Sequence, residues 1–339
     1  MNRPALPPLK TTGATLAACA MLSACGGGDG TALKASSPTS APPNLSASVS
    51  ALALSVNDTS LNGALTGNPR TIRVTNTGSS TAAQSLTISG ASSLPSGTSL
   101  TTTCGATLPP GASCLITITP GVTASALPGD TAAAPVSLSI AGSNTNTLSF
   151  GVSVLTYGSY YEGGYLFAVD DTTPTTGSIG GTVAAPADSA NPGSGILWQA
   201  TATTTGANSP SNGPANTATI VSDLGTPTSA YAAGVCKATI SGYSDWYLPA
   251  ICEMGYDSAS NGTGCGSSSS PTRQNMQSNP VDNGNIGSLS GYYWSSTETT
   301  ILPATYSWGQ YLTNNGATNQ RYIIKTSTEG VRCVRSLTP

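Results

Sequence analysis

Short runs in which apolar and polar residues alternate recur along the first half of the chain, and they constrain the fold more than any other feature. Turn-forming Gly, Pro, Asn and Ser separate the runs. An alternation with a period of two places every second side chain on the same face of a strand. About seven such strands without a helical period predict a β-sandwich over residues 45–155. The clearest runs are Ala51–Val56, Thr71–Val74, Leu86–Ile88, Cys114–Ile118, Val136–Ile140 and Leu148–Val152.

The amino terminus has the pattern of an export signal. Arg3 and Lys10 precede an apolar stretch that is too short to be a permanent membrane helix. The stretch ends Leu22-Ser23-Ala24-Cys25, which resembles the lipobox of bacterial lipoproteins. The resemblance implies cleavage after residue 24 and lipidation of Cys25. Because Gly26 rather than aspartate follows that cysteine, the resemblance implies an outer-membrane location, at the cell surface or on the periplasmic face.

Composition fits an exported β-rich protein. Only 7% of the residues are charged, and residues 25–44 are so rich in Gly, Ser and Pro that they predict a flexible linker. Loss of Arg3 and Lys10 with the signal peptide leaves nine basic residues against 14 acids, a net charge of −5. A nucleic-acid-binding protein needs a basic surface, so nucleic acid is excluded as a partner. The lipid anchor is the only membrane contact that we predict.

Cysteine usage predicts disulfides rather than a metal or redox centre. Removal of Cys19 and lipidation of Cys25 leave an even set, which in an exported chain is typical of disulfide pairing. The set consists of Cys104, Cys114, Cys236, Cys252, Cys265 and Cys333. No pattern in the chain indicates a metal or another cofactor, so we predict none.

The sandwich region resembles the bacterial Ig-like modules that are repeated in surface proteins. The resemblance depends on the run Ile72–Gly78 and on the segment Cys104–Cys114, where two cysteines bracket a hairpin. It implies an Ig-like fold in which Cys104 and Cys114 can bond to each other. It carries little information about activity.

Residues 157–339 have a different pattern, which predicts an α+β domain. Helices are predicted at Ser229–Ala238, with Ser229 as a cap, and from Pro249 onward. Asn314-Asn315-Gly316 is typical of a hairpin turn. Strands are predicted at Tyr292–Thr297, Tyr306–Tyr311, Arg321–Ile324 and Val331–Arg335.

Four segments of this half resemble the Lcl C-terminal-like domain of bacterial surface proteins. They are Gly163–Asp170, Ala232–Pro249, Tyr293–Glu298 and Gly330–Arg335. The resemblance implies a C-type-lectin-like fold that is distantly related to formylglycine-generating enzymes. It also implies adhesion, because the domain of the family's namesake attaches cells to sulfated glycans.

The four cysteines of this half permit three pairings. We prefer Cys236–Cys333, which would close a long loop, with Cys252–Cys265 nested inside it. Crossed pairings remain alternatives.

Six residues are candidates for ligand binding: Asp245, Trp246, Trp294, Glu298, Trp308 and Arg332. An aromatic ring beside a carboxylate suits a sugar, which favours Asp245 with Trp246 and Trp294 with Glu298. The competing interpretation is that both tryptophans belong to the core. A sulfated ligand would need a local basic patch, because residues 157–339 carry six basic and eleven acidic residues.

These patterns predict a non-enzymatic adhesion or binding protein whose partner is a glycan or a protein. A structural envelope component that docks to another surface protein is the first alternative. An enzyme that cleaves glycans with the carboxylates of Asp245 and Glu298 is the second. The chain has no histidine, which removes Ser-His and Cys-His nucleophilic systems. The Glu-Pro-Asn, Gln-Pro-Asp and Trp-Asn-Asp signatures of calcium-dependent lectins are also absent.

Overall fold

A computed structural model describes residues 41–61, 64–257, 262–282, 284–286, 289–313 and 318–339. The described residues from 41 onward form one compact unit, and the fold is mainly β, as predicted. The predicted signal peptide, Cys25 and most of the predicted linker lie outside the described residues. The last linker residues already contact the body, because Thr81 Oγ1 donates a hydrogen bond to Ala41 O.

Ten strands form the first half of the unit. They are β1 Leu45–Ala47, β2 Ala51–Ser55, β3 Arg70–Asn76, β4 Ala83–Gln84, β5 Thr87–Ser89, β6 Ser99–Thr102, β7 Thr107–Leu108, β8 Ser113–Thr119, β9 Val136–Ala141 and β10 Leu148–Leu155. A short 3₁₀ turn, Ala91–Ser93, follows β5. Each of the six predicted runs overlaps one of these strands, and only Val56 and Leu86 fall outside the strand bounds.

Two four-stranded sheets face each other in this half. Their strand orders are β1-β3-β8-β6 and β2-β10-β9-β5. Side chains of both sheets, among them Ile72, Ile116 and Phe150, form one buried core. The alternation that predicted the strands is therefore the alternation between this core and solvent. Cys104 and Cys114 form the expected disulfide at the β8 side of this core.

The described residues of the second half form eleven strands and three α-helices. The strands are β11 Tyr160–Tyr161, β12 Gly164–Asp170, β13 Gly180–Ala184, β14 Ile196–Leu197, β15 Gly266–Ser267, β16 Ser270–Pro271, β17 Gly291–Glu298, β18 Tyr306–Leu312, β19 Asn319–Ile324, β20 Thr328–Glu329 and β21 Val334–Leu337. The helices are α1 Gly213–Leu224, α2 Ala232–Val235 and α3 Ile251–Met254, with a 3₁₀ turn at Thr228–Ala230 and a π-helical turn at Gln277–Val281.

Two sheets organise this half. One has the order β11-β12-β13-β21, and the other has the order β17-β18-β19. Three of the predicted strands match β17, β18 and β19. The fourth, predicted at Val331–Arg335, begins three residues later as β21, because Val331 instead makes an isolated bridge with Ala190. The predicted Asn314–Gly316 turn lies outside the described residues.

The helix predictions need correction. The single helix predicted at Ser229–Ala238 is interrupted at Tyr231, which is extended and buried, and the Ser229 side chain caps nothing. Tyr231 Oη donates to Gly225 O over 2.8 Å, so tertiary contacts of this ring override the local helical pattern. The helix predicted from Pro249 begins two residues later, at Ile251.

Sequence reasoning missed α1, the longest helix among the described residues. Its buried residues are mostly small or polar, and only Ile220 is a large apolar side chain, so no amphipathic period is visible. A capping signal was nevertheless present. Asn212 Oδ1 accepts a hydrogen bond from Ala215 N over 3.1 Å, and Pro214 lies in the first turn.

The preferred disulfide pairing in the second half is confirmed. Cys236 at the end of α2 bonds to Cys333, and Cys252 in α3 bonds to Cys265. The first bond closes a loop of 97 residues and ties the helical region to the segment before β21. The nested arrangement holds and the crossed alternatives are wrong.

Residues on both sides of the predicted domain boundary at 155–157 share one core. Ala53, Val56 and Val154 pack in the same cluster as Leu166 and Trp246. Polar contacts accompany this packing, since Ile179 N donates to Ala53 O over 3.1 Å. The sandwich therefore contributes part of the core that stabilises the second half.

Candidate functional site

Two of the six predicted ligand-binding residues belong to the core. The Trp246 and Trp294 side chains are 0% exposed. Each indole satisfies its N–H internally, Trp246 on Ile240 O over 3.0 Å and Trp294 on Ile196 O over 2.8 Å. Neither ring can reach a ligand, so the core interpretation of both is correct.

Glu298 is likewise buried, and its carboxylate holds a loop. It pairs with Lys325 Nζ at 2.5 Å, and both side chains are 1% exposed. The backbone N–H groups of Thr205 and Gly206 donate to the two carboxylate oxygens, each over 2.8 Å. Burial lowers the pKa of Lys325, while the hydrogen bond to Glu298 opposes that shift. Glu298 therefore anchors the segment at 203–206 and is not available to substrate or ligand.

Arg332 is also committed within the protein. Its Nε lies 2.7 Å from Asp188 Oδ1, and its Nη1 donates to Ala185 O over 2.7 Å. Asp188 accepts a second hydrogen bond from Tyr293 Oη over 3.0 Å. Because this guanidinium is 5% exposed, it cannot form the local basic patch that a sulfate would need.

Asp245 does lie at the surface, but not beside an accessible indole. Its side chain is 56% exposed and pairs with Arg335 Nε at 2.6 Å. The Arg335 guanidinium also contacts Glu162 at 3.1 Å and stacks 3.8 Å from the ring centre of Tyr243. Successive residues point to opposite sides here, so Trp246 enters the core while Asp245 faces solvent. Arg335 of β21 thus binds the β11–β12 turn through Glu162 and the segment before Tyr247 through Asp245.

Trp308 is the predicted residue that the structure places on an accessible surface. It lies half-buried on β18, where it pairs with Tyr322 of β19, and Tyr306 pairs with Ile324 in the same register. Residues two apart on a strand share a face, so Tyr306, Trp308, Tyr322 and Ile324 form one row. We call this row the aromatic face.

Edge contacts hold the rings of the aromatic face. The Tyr306 and Tyr322 ring centres are 5.4 Å apart, and those of Trp308 and Tyr322 are 6.0 Å apart, both with an interplanar angle of 75°. T-shaped pairs are a favoured aromatic geometry and fix the rings in place. The Tyr322 side chain is still 60% exposed, so ring surface remains free for a ligand.

Exposed aliphatic side chains extend the aromatic face at one end. Ile301 is 75% exposed and Leu302 is 62% exposed in the turn that joins β17 to β18. Tyr306 N donates to Leu302 O over 3.1 Å, so this turn packs directly against the first residue of β18. Large apolar side chains that cluster at the surface in this way are typical of an interaction site.

A small polar cleft adjoins the other end. Its volume is about 410 Å³, and its lining includes the carboxylate-bearing Asp257 and the hydroxyl-bearing Thr263 and Ser270. Thr263 Oγ1 hydrogen-bonds to Gln320 Oε1, and Gln320 shares the strand face of Tyr322. The Cys252–Cys265 disulfide anchors the loop that lines this cleft to α3. Cys265 packs in the same cluster as Trp308. Aromatic rings and hydrogen-bonding groups are thus neighbours at this site.

A second cleft of about 490 Å³ lies beside the Cys236–Cys333 disulfide. Its walls combine small and apolar side chains with Asp188 and Lys237. The Asp188 carboxylate is already engaged by Arg332 and Tyr293. That carboxylate is therefore committed within the protein.

Sequence reasoning missed Tyr306, Tyr322 and Asp257. A signal for the tyrosines was present, because Tyr306 and Trp308 are two residues apart, as are Tyr322 and Ile324. The register that aligns these two pairs becomes visible only when β18 and β19 are paired. Asp257 enters the site through the fold of the loop after α3.

No protein-family model and no curated protein matches this chain. The site must therefore be interpreted from its own geometry. Among the described residues, no group of three or more Cys, Asp or Glu lies close enough to hold a metal ion. None of the helices in the described part of the chain is long and apolar enough to cross a membrane.

Proposed function

We propose that this chain is a lipid-anchored, non-enzymatic binding protein of the bacterial outer membrane that recognises a glycan or a protein through the aromatic face. The observation that carries the proposal is the row of Tyr306, Trp308 and Tyr322, fixed by ring contacts yet open to solvent. Such rings offer a large contact area with few rotatable bonds, which reduces the entropy lost on binding.

In this proposal the first half is an Ig-like module and the second half a C-type-lectin-like head of the Lcl C-terminal kind. The two facing sheets and the Cys104–Cys114 disulfide support the first assignment. The resemblance of four sequence segments supports the second. The lipobox-like segment before Cys25 supports the anchor and the outer-membrane location.

The two classes of partner use different parts of the site. A glycan would stack on the rings and hydrogen-bond to the exposed hydroxyl groups of the cleft at Ser267 and Ser270. A protein partner would instead cover Ile301 and Leu302 beside Tyr306, and this possibility also fits the alternative of a structural envelope component.

A glycan array together with cross-linking in intact cells tests the proposal. Residues 41–339 serve as the soluble probe on the array, because they form one compact unit. We expect the wild type to bind a glycan or to cross-link to a surface protein, and we expect Trp308→Ala to weaken that interaction at least tenfold, or about 1.4 kcal/mol.

Tyr160→Ala is the matched control, because Tyr160 is another half-buried tyrosine held by an edge contact, with its ring 5.6 Å from that of Tyr165. It should bind as the wild type does. If folded wild-type protein finds no partner in either assay, or if both variants bind equally well, the proposed function is wrong.

A further inference from the structure

Most of the positive charge in the second half is neutralised by ion pairs within the protein. Residues 157–339 carry six basic and eleven acidic residues, and all six basic residues lie in the part of the chain that the structure describes. Four of the six are paired with acids, as Arg273–Glu253, Lys325–Glu298, Arg332–Asp188 and Arg335–Asp245. Because an acid lies beside each of these cations, they contribute little attraction for an anionic ligand.

The other two cations of this half point away from the aromatic face. Arg321 precedes Tyr322 on β19, so its side chain leaves the strand on the opposite side of the sheet. There its guanidinium stacks 3.6 Å from the ring centre of Tyr292 on β17. Lys237 is exposed beside the Cys236–Cys333 disulfide, where it lines the second cleft. Neither cation supplies positive charge to the aromatic face.

The aromatic face and the turn beside it consist of uncharged side chains. They are Tyr306, Trp308, Tyr322, Ile324, Ile301 and Leu302. In the adjoining polar cleft the charged lining residue is Asp257, which is an acid. A sulfate or carboxylate bound here would lose its hydration without gaining a cation, and the acid would repel it. The electrostatics of this site therefore disfavour an anionic ligand.

We propose that the ligand of the aromatic face is an uncharged glycan, held by ring stacking and hydrogen bonds without ion pairs. The inference rests on the proposed function and narrows it, because it selects one class from the glycans and proteins that fit this face. It departs from the sulfated glycans that the sequence resemblance implies.

The groups that an uncharged sugar needs are present at this site. One side of a pyranose ring is lined by C–H groups and packs on an aromatic ring, and Tyr322 is 60% exposed for such a contact. The hydroxyl groups of a sugar both donate and accept hydrogen bonds, as do the exposed hydroxyls of Ser267 and Ser270 in the adjoining cleft. Stacking and hydroxyl contacts are thus available without a charged group.

A glycan array that carries uncharged oligosaccharides beside sulfated and uronate-bearing derivatives of the same backbones tests the inference. With residues 41–339 as the probe, we expect binding to uncharged members, and we expect Trp308→Ala to weaken it by about tenfold or more. Calorimetric titration of a bound glycan in about 0.1 M and about 1 M NaCl should give dissociation constants within about twofold of each other, because salt screens only interactions between charges.

Arg321→Gln and Lys237→Gln are the control variants, because they remove the two cations of this half that lie outside the four ion pairs. Both residues are exposed, so the substitutions should leave the fold intact. Each variant should bind the uncharged glycan with a dissociation constant within about twofold of that of the wild type. A loss of about tenfold in either variant would show that a cation takes part in binding, contrary to the inference.

The remaining outcomes separate this inference from the proposed function. A preference for sulfated or uronate-bearing members, with binding that weakens at high salt, would overturn the inference and leave the proposed function standing. Cross-linking of the aromatic face to a surface protein, with no glycan bound on the array, would do the same. Folded wild-type protein that binds neither a glycan nor a surface protein would overturn both.

Discussion

The Arg70 guanidinium links the two halves of the compact unit at the scale of a single side chain. Its Nη2 donates to Asp171 Oδ1 over 2.8 Å and to Thr173 Oγ1 over 2.7 Å. Its Nη1 donates to the backbone carbonyls of Pro174, Gly177 and Ser178. From the sandwich side, Ser55, Thr66 and the Asn68 N–H donate hydrogen bonds to Asp171 Oδ2. The Arg70–Asp171 ion pair is buried, so removal of either partner leaves an uncompensated charge in the core and destabilises the fold.

Arg70→Met should therefore destabilise the protein by about 3–5 kcal/mol, because it leaves Asp171 buried without its cation. Equilibrium unfolding in urea measures the change. Arg73→Met is the control, since Arg73 is on the same strand but exposed, and it should change the free energy of unfolding by less than about 0.5 kcal/mol. Equal effects of the two substitutions would contradict this account.

Burial also separates the residues that resemble a binding site from those that can form one. Trp246, Trp294 and Trp308 all lie near polar residues in the sequence, but only Trp308 is accessible among the three. The residue type did not distinguish them. What distinguishes them is which side of its sheet or loop each ring occupies.

Elements that depend on local alternation were predicted well, and elements that depend on tertiary contacts were not. β3 and β8 follow the two-residue period of the sequence. The predicted helix at Ser229–Ala238 failed because Tyr231 is extended, and the hydrogen bond from its hydroxyl to Gly225 O is a tertiary contact that the local pattern does not contain. The break brings Thr228 O to 2.0 Å from where a Cβ of residue 234 would lie, so this position needs glycine.

The disulfides should contribute unequally to stability. Replacing Cys236 and Cys333 by alanine should cost about 4–5 kcal/mol, because their loop is long and its closure restricts the unfolded chain strongly. Replacing Cys104 and Cys114 should cost about 2–3 kcal/mol, because they are 10 residues apart. Urea unfolding of both double variants measures the two costs, and a larger loss for the Cys104–Cys114 pair would be inconsistent with the loop-length argument.

The compact unit as a whole combines residues from both halves in one core. Leu65 and Val154 lie in the same cluster as Trp198, Ile220 and Trp246. A sandwich that supplies core residues to its neighbour cannot unfold without exposing them. The buried ion pair between Arg70 and Asp171 also joins the two halves.

Residues 41–339 should therefore unfold in one transition. All four tryptophans lie in the second half, so their fluorescence reports on that half, while far-ultraviolet circular dichroism reports on the strands of both. The two signals should give the same urea midpoint. Two separated midpoints, with the tryptophan change distinct from the loss of strand signal, would show that the halves fold independently.

The sequence by itself determined the β-rich class, the positions of most strands and the cysteine set, because these follow from local periodicity and composition. It also left Trp308 among the ligand candidates. Only the tertiary structure decided which candidates are buried, since strand register and sheet stacking determine exposure. The aromatic face exists because pairing of β18 with β19 brings Trp308 beside Tyr322, and the register of that pairing cannot be read from the sequence of either strand.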